Sequence, residues 1–240
     1  MAGDEQVIVT GGSGGIGRAC VHAALELGRR VVNLDVQAVN PLEGETYIQT
    51  DLTDTSAIEA AFADIARRGP VVGLVNNAGM SLAKSLMETE PADFERLVPL
   101  NLVAPAVCAR LAAAEMKAAG WGRIVNISSR VVLGKELRTA YAGTKGGIAA
   151  MSRVWAMELA ADGITVNTVG PGPIGTELFY NVNPEGSERT RKIIDAIPVR
   201  RLGTPEDVAN AVAFFLKKES GFVTGQTVYV CGGLTAGLTG

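Results

Sequence analysis

Two sets of residues in this chain have types and spacings that could do chemistry. Tyr141 and Lys145 stand four positions apart in Tyr141-Ala142-Gly143-Thr144-Lys145. On a helix that spacing puts a phenol and an ammonium on one face, about one turn apart. The ammonium then favours the phenolate and lowers a tyrosine pKa that is otherwise about 10. A tyrosine tuned in this way is a suitable acid–base group for interconverting an alcohol and a ketone. Ser128 and Ser129 end the preceding apolar run, where a hydroxyl is placed to hold a carbonyl oxygen.

The second set is Thr10-Gly11-Gly12-Ser13-Gly14-Gly15-Ile16-Gly17, directly behind the apolar run Gln6-Val7-Ile8-Val9. The run reads as a buried strand, and the glycines turn the backbone without Cβ clashes. Helix-forming sequence resumes at Arg18 and stops at Gly28. Strand, glycine loop and helix in that order aim free backbone N–H groups at a phosphate ahead of the helix. Gly11, Gly15 and Gly17 space as G-x-x-x-G-x-G, a variant of the dinucleotide fingerprint. An ordinary glycine turn has the same composition, and the rest of the chain decides between the two.

Composition narrows the chemistry. The 240 residues carry a single histidine, His22, inside the first predicted helix. A Ser-His-Asp triad, a Cys-His pair or a multi-histidine metal site would all need it, so no metal is expected and acid–base work falls to Tyr, Lys, Asp or Glu. Cys20, Cys108 and Cys231 are odd in number and far apart, which fits a reducing cytoplasm better than a disulfide framework. The net charge of −3 comes without a basic tract, which argues against nucleic acid and anionic membranes as partners. No uninterrupted apolar stretch reads as a bilayer span.

The elements that must position these residues alternate strand and helix. Strands are predicted at 6–10, 31–35, 46–49, 71–76, 123–128, 164–168 and 227–230, and helices at 15–28, 55–68, 91–119, 139–162 and 205–217. Alternation of this kind implies right-handed crossovers and one parallel, doubly wound α/β sheet of seven strands with helices on both faces. A single domain spanning 1–240 is expected. Residues 170–183 and the polar segment 184–191 read as one long irregular region, with a substrate lid at about 175–198.

Further candidates lie at strand ends, where open α/β sheets place ligands. Asp35 ends the second strand, where an acid accepts hydrogen bonds from the free hydroxyls of an adenosine ribose and repels a 2′-phosphate. Gly14 offers no cation for such a phosphate, so the reading is NAD(H) over NADP(H). Asp51, in Asp51-Leu52-Thr53-Asp54, can face an adenine amine, and the small residues Asn77, Ala78 and Gly79 let backbone pass close to a cofactor. Pro105 has no N–H for the carbonyl of Asn101, which frees that carbonyl to accept from water.

With these motifs in order, the chain resembles the short-chain dehydrogenase/reductase family over nearly its full length. Further matching stretches are Pro171-Gly172-Pro173-Ile174-Gly175-Thr176, Arg201 to Val208 and Gly225-Gln226-Thr227. The resemblance implies that Tyr141 is the acid–base, that Lys145 binds the nicotinamide ribose and tunes Tyr141, and that a serine orients the substrate oxygen. It implies that Asn101 anchors a water in a proton relay and that Ile174 and Thr176 meet the nicotinamide carboxamide. The expected cofactor contacts begin with Gly11, Ser13, Gly14, Gly15, Ile16 and Gly17 and continue through Asp35, Val36, Asp51, Leu52, Asn77, Ala78 and Gly79. Tyr141, Lys145, Pro171, Gly172, Ile174 and Thr176 complete them. A homotetramer is also implied, and the sparse charge of the 91–119 helix beyond Ala104 and of residues 141–162 agrees with burial on more than one side.

The chain departs from the family pattern at three places. Ser128 lies at the usual distance from Tyr141 and Ser129 is one residue short of it, whereas counting along the strand favours Ser129, which is the assignment taken. Cys231 precedes Gly232-Gly233 where an acid is common, and Arg130 and Lys135 put positive charge near the substrate entrance. The expected activity is NAD(H)-dependent hydride transfer on a free, mostly apolar secondary alcohol or ketone, with Leu178, Phe179 and Tyr180 as an apolar lid. The alternatives are a 3-oxoacyl carrier-protein or CoA reductase, and a nucleotide-sensing protein without catalysis.

Overall fold

The computed structural model describes residues 4–237. Seven parallel strands form one sheet in the order β3-β2-β1-β4-β5-β6-β7: β1 Gln6–Thr10, β2 Arg30–Asp35, β3 Glu45–Gln49, β4 Val71–Asn76, β5 Gly122–Ile127, β6 Ile164–Pro171 and β7 Thr227–Val230. The central strands are buried along their whole length, as expected for a sheet covered on both faces. On one face α2 Thr55–Ala66, α4 Ala104–Ala119 and α5 Thr139–Leu159 pack around Ile58, Cys108, Met116 and Ala156. On the other, α1 Gly15–Glu26 and α8 Pro205–Leu216 pack Cys20, Val21, Val212 and Phe215 against the sheet. The chain winds outward from β1 in one direction and from β4 in the other. The carboxyl ends of β1 and β4 therefore flank the crevice where such sheets bind ligands.

Gly17 shows how tightly α1 is drawn against this crevice. A Cβ at that position would run into the carbonyl of Gly11 and the side chain of Asn77. Only glycine lets the helix start so close to the strand ends.

Four expectations change. The 91–119 helix is not continuous: α3 Pro91–Val98 and α4 are joined by a π-helical turn, Pro99–Val103, that contains Asn101. The missing N–H groups of Pro99 and Pro105 on either side of Asn101 account for the widened turn. Residues 91–119 also prove long and apolar enough, by composition, to cross a membrane, contrary to the sequence reading; here α4 instead packs its apolar side on the sheet. Finally, the region read as irregular contains two helices, α6 Glu177–Tyr180 and α7 Glu188–Ala196. Each starts on a side-chain cap, Thr176 accepting from the Phe179 N–H and Ser187 from the Thr190 N–H. β6 runs three residues beyond its predicted end, to Pro171, because Val169, Gly170 and Pro171 pair with β7.

Candidate active site

The glycine loop leaves the N-terminus of α1 open. Gly14 is its N-cap and supplies no side-chain hydrogen bond, so the first N–H groups of the helix face the crevice. A dinucleotide pyrophosphate fits that set of donors, because a helix N-terminus with free N–H groups favours negative charge. Thr176, at the start of the lid, stands opposite Gly15 across the same opening.

The end of β2 is rigidly built. Asp35 accepts the Ser13 N–H on one carboxylate oxygen and the Gln37 N–H on the other, both at 3.0 Å, and the Ser13 hydroxyl donates to the Gln37 carbonyl at 2.7 Å. Beside it Asn33, which the sequence reading overlooked, accepts the Gly12 N–H at 2.9 Å and donates to Glu45 at 3.2 Å. The buried Glu45 carboxylate takes both contacts of Arg18 at 2.8 Å. The cation closest in sequence to the glycine loop is thus already neutralised. Val36 is exposed beyond Asp35. Asp51 binds its own turn through the Thr53 N–H and hydroxyl, and the Leu52 side chain is buried in the core, leaving only its backbone toward the crevice edge.

Thr10 and Asn77 join the glycine loop to the end of β4. The Thr10 hydroxyl oxygen accepts the N–H groups of Asn77 and Ala78 at 3.0 and 3.1 Å, and the Asn77 amide donates to the carbonyls of Thr10 and Gly11. Gly79 sits where a Cβ would come within 3.1 Å of Asn101 Oδ1 and 3.2 Å of Lys145 Nζ. Glycine therefore keeps open the space between those two groups.

The candidate catalytic residues gather at this point. The Asn101 side chain, 1% exposed, accepts the Met80 N–H at 3.0 Å and donates to the Met80 carbonyl at 2.9 Å and to Thr144 Oγ1 at 3.0 Å. Thr144 in turn donates to the Tyr141 carbonyl. The side chain of Asn101 thus clamps a loop, while its backbone lies in the π turn. Lys145 is buried, and its Nζ donates to the Ile127 carbonyl at 2.8 Å. Burial pushes its pKa down to about 8. Ser128 is buried and donates to the Lys145 carbonyl at 2.7 Å, whereas Ser129 is half-buried with its hydroxyl beside the Tyr141 phenol.

Electrostatics at Tyr141 differ from the sequence expectation. Burial raises the pKa of the phenol, and what opposes that rise is the nearby Ser129 hydroxyl and then the charge of Arg138. The Lys145 ammonium, the cation expected from the sequence, donates to the Ile127 carbonyl, and the charge of Arg138 also favours the phenolate.

The remaining expected residues border the crevice from β6 and the lid. Pro171 ends β6, and the Gly172 N–H donates to Val230. Ile174 is buried in the core and forms a parallel bridge with Gly203. In that bridge the Pro173 carbonyl and the Gly175 N–H turn toward Gly203. Leu178 is exposed, and Phe179 meets Tyr180 edge-to-face. A groove of about 550 Å³ opens at the start of α5, between Leu86, Val131, the 134–138 loop, Thr139 and Ala142. His22 is exposed on α1, away from the site. Among the described residues no cluster of three or more His, Cys, Asp and Glu side chains forms. Asn33, Glu45 and Thr144 escaped the sequence reading because their partners lie on other elements.

Comparison with known proteins agrees with this geometry. A family model described as Enoyl-(Acyl carrier protein) reductase matches residues 11–235. The chain is 34% identical to the (2S)-[(R)-hydroxy(phenyl)methyl]succinyl-CoA dehydrogenase subunit BbsD of Thauera aromatica, over 94% of each protein. It is 35% identical to a 3-oxoacyl-[acyl-carrier-protein] reductase of Rickettsia bellii, over 96% of each. A putative gluconate dehydrogenase from Agrobacterium tumefaciens superposes with a TM-score of 0.90 at 30% identity, covering 99% of this chain and 98% of that one. ElxO, solved with NADP bound, also gives a TM-score of 0.90, at 29% identity, covering 98% of this chain and 100% of that one. The chain belongs to the short-chain dehydrogenase/reductase family, whose members are oxidoreductases that bind a nicotinamide cofactor.

Proposed function

We propose that the protein is an NAD(H)-dependent dehydrogenase that interconverts a secondary alcohol and a ketone, with Tyr141 as the acid–base. The observation that carries this reading is the grouping of Tyr141, Ser129, Lys145 and Asn101 at the open edge of the sheet, with no histidine among them. In the reduction direction Tyr141 Oη gives its proton to the substrate oxygen while the Ser129 hydroxyl holds that oxygen in place. In oxidation the same atom takes the proton back. The cofactor, when bound, supplies or accepts the hydride. Lys145 holds the nicotinamide ribose, and the 175–198 segment with its apolar side chains closes over the substrate and excludes water. Gly11 to Gly17, Asn77 to Gly79, Pro171, Gly172, Ile174 and Thr176 form the remaining cofactor cradle.

Cofactor choice rests on the end of β2. Asp35 is fixed by two backbone N–H groups and presents its remaining lone pairs where ribose hydroxyls would sit. A 2′-phosphate there would meet a carboxylate, with Arg18 already held by Glu45. NAD is therefore preferred over NADP.

A second reading, 3-oxoacyl carrier-protein reduction, is favoured by the Rickettsia relative.

The assembly we propose is a homotetramer. Val103, Val154 and Met157 expose apolar surface on the α4/α5 layer, and Phe214 and Phe222 do so on the α8 side. Two separate patches are what a dihedral tetramer needs. The three unbridged buried cysteines are in keeping with a cytoplasmic location. A panel of secondary alcohols with NAD and with NADP, followed by absorbance of the reduced cofactor, tests the function. Turnover favouring NAD supports it, and absence of turnover with both cofactors contradicts it.

A further inference from the structure

The groove at the start of α5, whose lining includes Thr139 and Ala142 in the turn that carries Tyr141, is lined by two kinds of side chain. Leu86, Val131, Val132 and Leu137 give it apolar walls, and Lys135 and Arg138 bring positive charge to it. Arg130 and Arg189 add their charges close to Lys135, Arg189 from α7 of the lid. None of these four cations makes a salt bridge among the described residues. Glu136, the acid in the lining, is exposed and leaves the positive charge in excess. Partial desolvation by its neighbours, and then the like charges of Arg138, Arg130 and Arg189, hold the Lys135 pKa below its usual range. Like charges gathered without a counterion are unfavourable, and an anion among them would relieve that.

The loop that carries them is held in place. Leu137 adopts φ +59°, in the left-handed region that a branched side chain rarely enters. It is pinned there because the Lys84 N–H donates to its carbonyl at 3.1 Å and Lys84 bridges to Arg138. Arg138 is at once near the groove and near the phenol of Tyr141. The charged end of the groove is therefore set at a fixed reach from the reacting group.

We propose that this groove selects substrates with an apolar body and an anionic end, a carboxylate or a phosphate, held by Lys135, Arg138 and Arg189. The proposal rests on the reading of Tyr141 as the acid–base, and it replaces the sequence expectation of a substrate without charged anchors. Arginine supplies the forked donors that fit either anion, and Arg189 ties the bound anion to the lid.

The test is isothermal titration in saturating NAD, the oxidised cofactor, with which a ketone can bind but cannot be reduced. The probes are 4-oxopentanoate, 6-oxoheptanoate and 8-oxononanoate, each beside its methyl ester, and acetoacetyl-CoA beside its N-acetylcysteamine thioester. Wild type is compared with Lys135→Ala/Arg189→Ala, two exposed positions whose loss leaves the core intact. At least one anionic probe is expected to bind about tenfold tighter than its neutral partner, and the double variant to lose that difference. Preference for an oxo acid identifies a carboxylate and preference for the CoA ester a phosphate. Equal or weaker binding of every anionic probe, or a preference that survives in the double variant, overturns the proposal. Oxidation of NADH, recorded in parallel, separates the two readings. Binding that depends on Lys135 and Arg189 without reduction of any probe sinks the dehydrogenase reading and leaves the anion site standing. Equal binding and equal reduction of acid and ester does the reverse.

Discussion

The hydroxyl of Ser128 donates to the backbone carbonyl of Lys145 at 2.7 Å, which fixes the end of β5 to the middle of α5. That bond occupies the serine at the usual sequence distance from Tyr141 and leaves Ser129 beside the phenol. Ser129→Ala is expected to lower kcat by about 100-fold through loss of the group that holds the substrate oxygen. Ser128→Ala is expected to cost about 1 kcal/mol of stability instead, with a much smaller effect on rate. Steady-state kinetics beside thermal unfolding separate them. A larger rate loss in Ser128→Ala would reverse the assignment.

Thr144→Val keeps the shape of the side chain but removes the oxygen that accepts from buried Asn101 Nδ2. An unpaired buried donor costs about 1–3 kcal/mol, so a lower unfolding midpoint is expected in denaturant titration. An unchanged midpoint would mean that the Asn101 clamp contributes nothing to the fold.

Much of this was legible in the sequence, and the exceptions have a common cause. The central strands were readable because β1, β4 and β5 are uninterrupted apolar runs, and α5 because Tyr141, Lys145, Ile148 and Ser152 recur on one face. The π turn was partly legible, since Pro99 and Pro105 announced a disturbed ladder at Asn101 without giving its form. α7 was not: Glu188, Arg189, Arg191 and Lys192 hide a nine-residue helix inside what reads as a polar loop. The Asn33–Glu45–Arg18 network joins three elements through side chains with no periodic relation, so no local pattern signals it. Nor does spacing say where an ammonium points, so neither the Lys145–Ile127 contact nor the charge of Arg138 near Tyr141 could be read from it.

The charge of Arg138 has a measurable consequence. Burial raises the Tyr141 pKa, and Arg138 opposes the rise. Oxidation needs the deprotonated phenol, so its rate should climb with pH on the alkaline side. Arg138→Gln removes a cation that favours the phenolate and should shift that limb to higher pH. The profile of kcat/KM for a neutral secondary alcohol reads this out, and an unshifted limb would exclude Arg138 from the tuning.

At the end of β2, Asp35→Ser should narrow the preference for NAD over NADP by roughly 10–100-fold. It removes a charged acceptor for the ribose hydroxyls and the repulsion of a 2′-phosphate. The ratio of kcat/KM for the two cofactors is the readout. Comparable wild-type efficiencies with NAD and NADP would contradict the role given to Asp35.

The central claim is that the Tyr141 hydroxyl moves the proton, and Tyr141→Phe tests it most directly because only that oxygen is lost. NADH affinity, measured by cofactor fluorescence, should stay within a few fold of wild type. Turnover of the best secondary alcohol should fall by about 10²–10⁴-fold, the range set by a positioned acid–base group. Turnover close to wild type in a variant that still binds NADH would contradict the account.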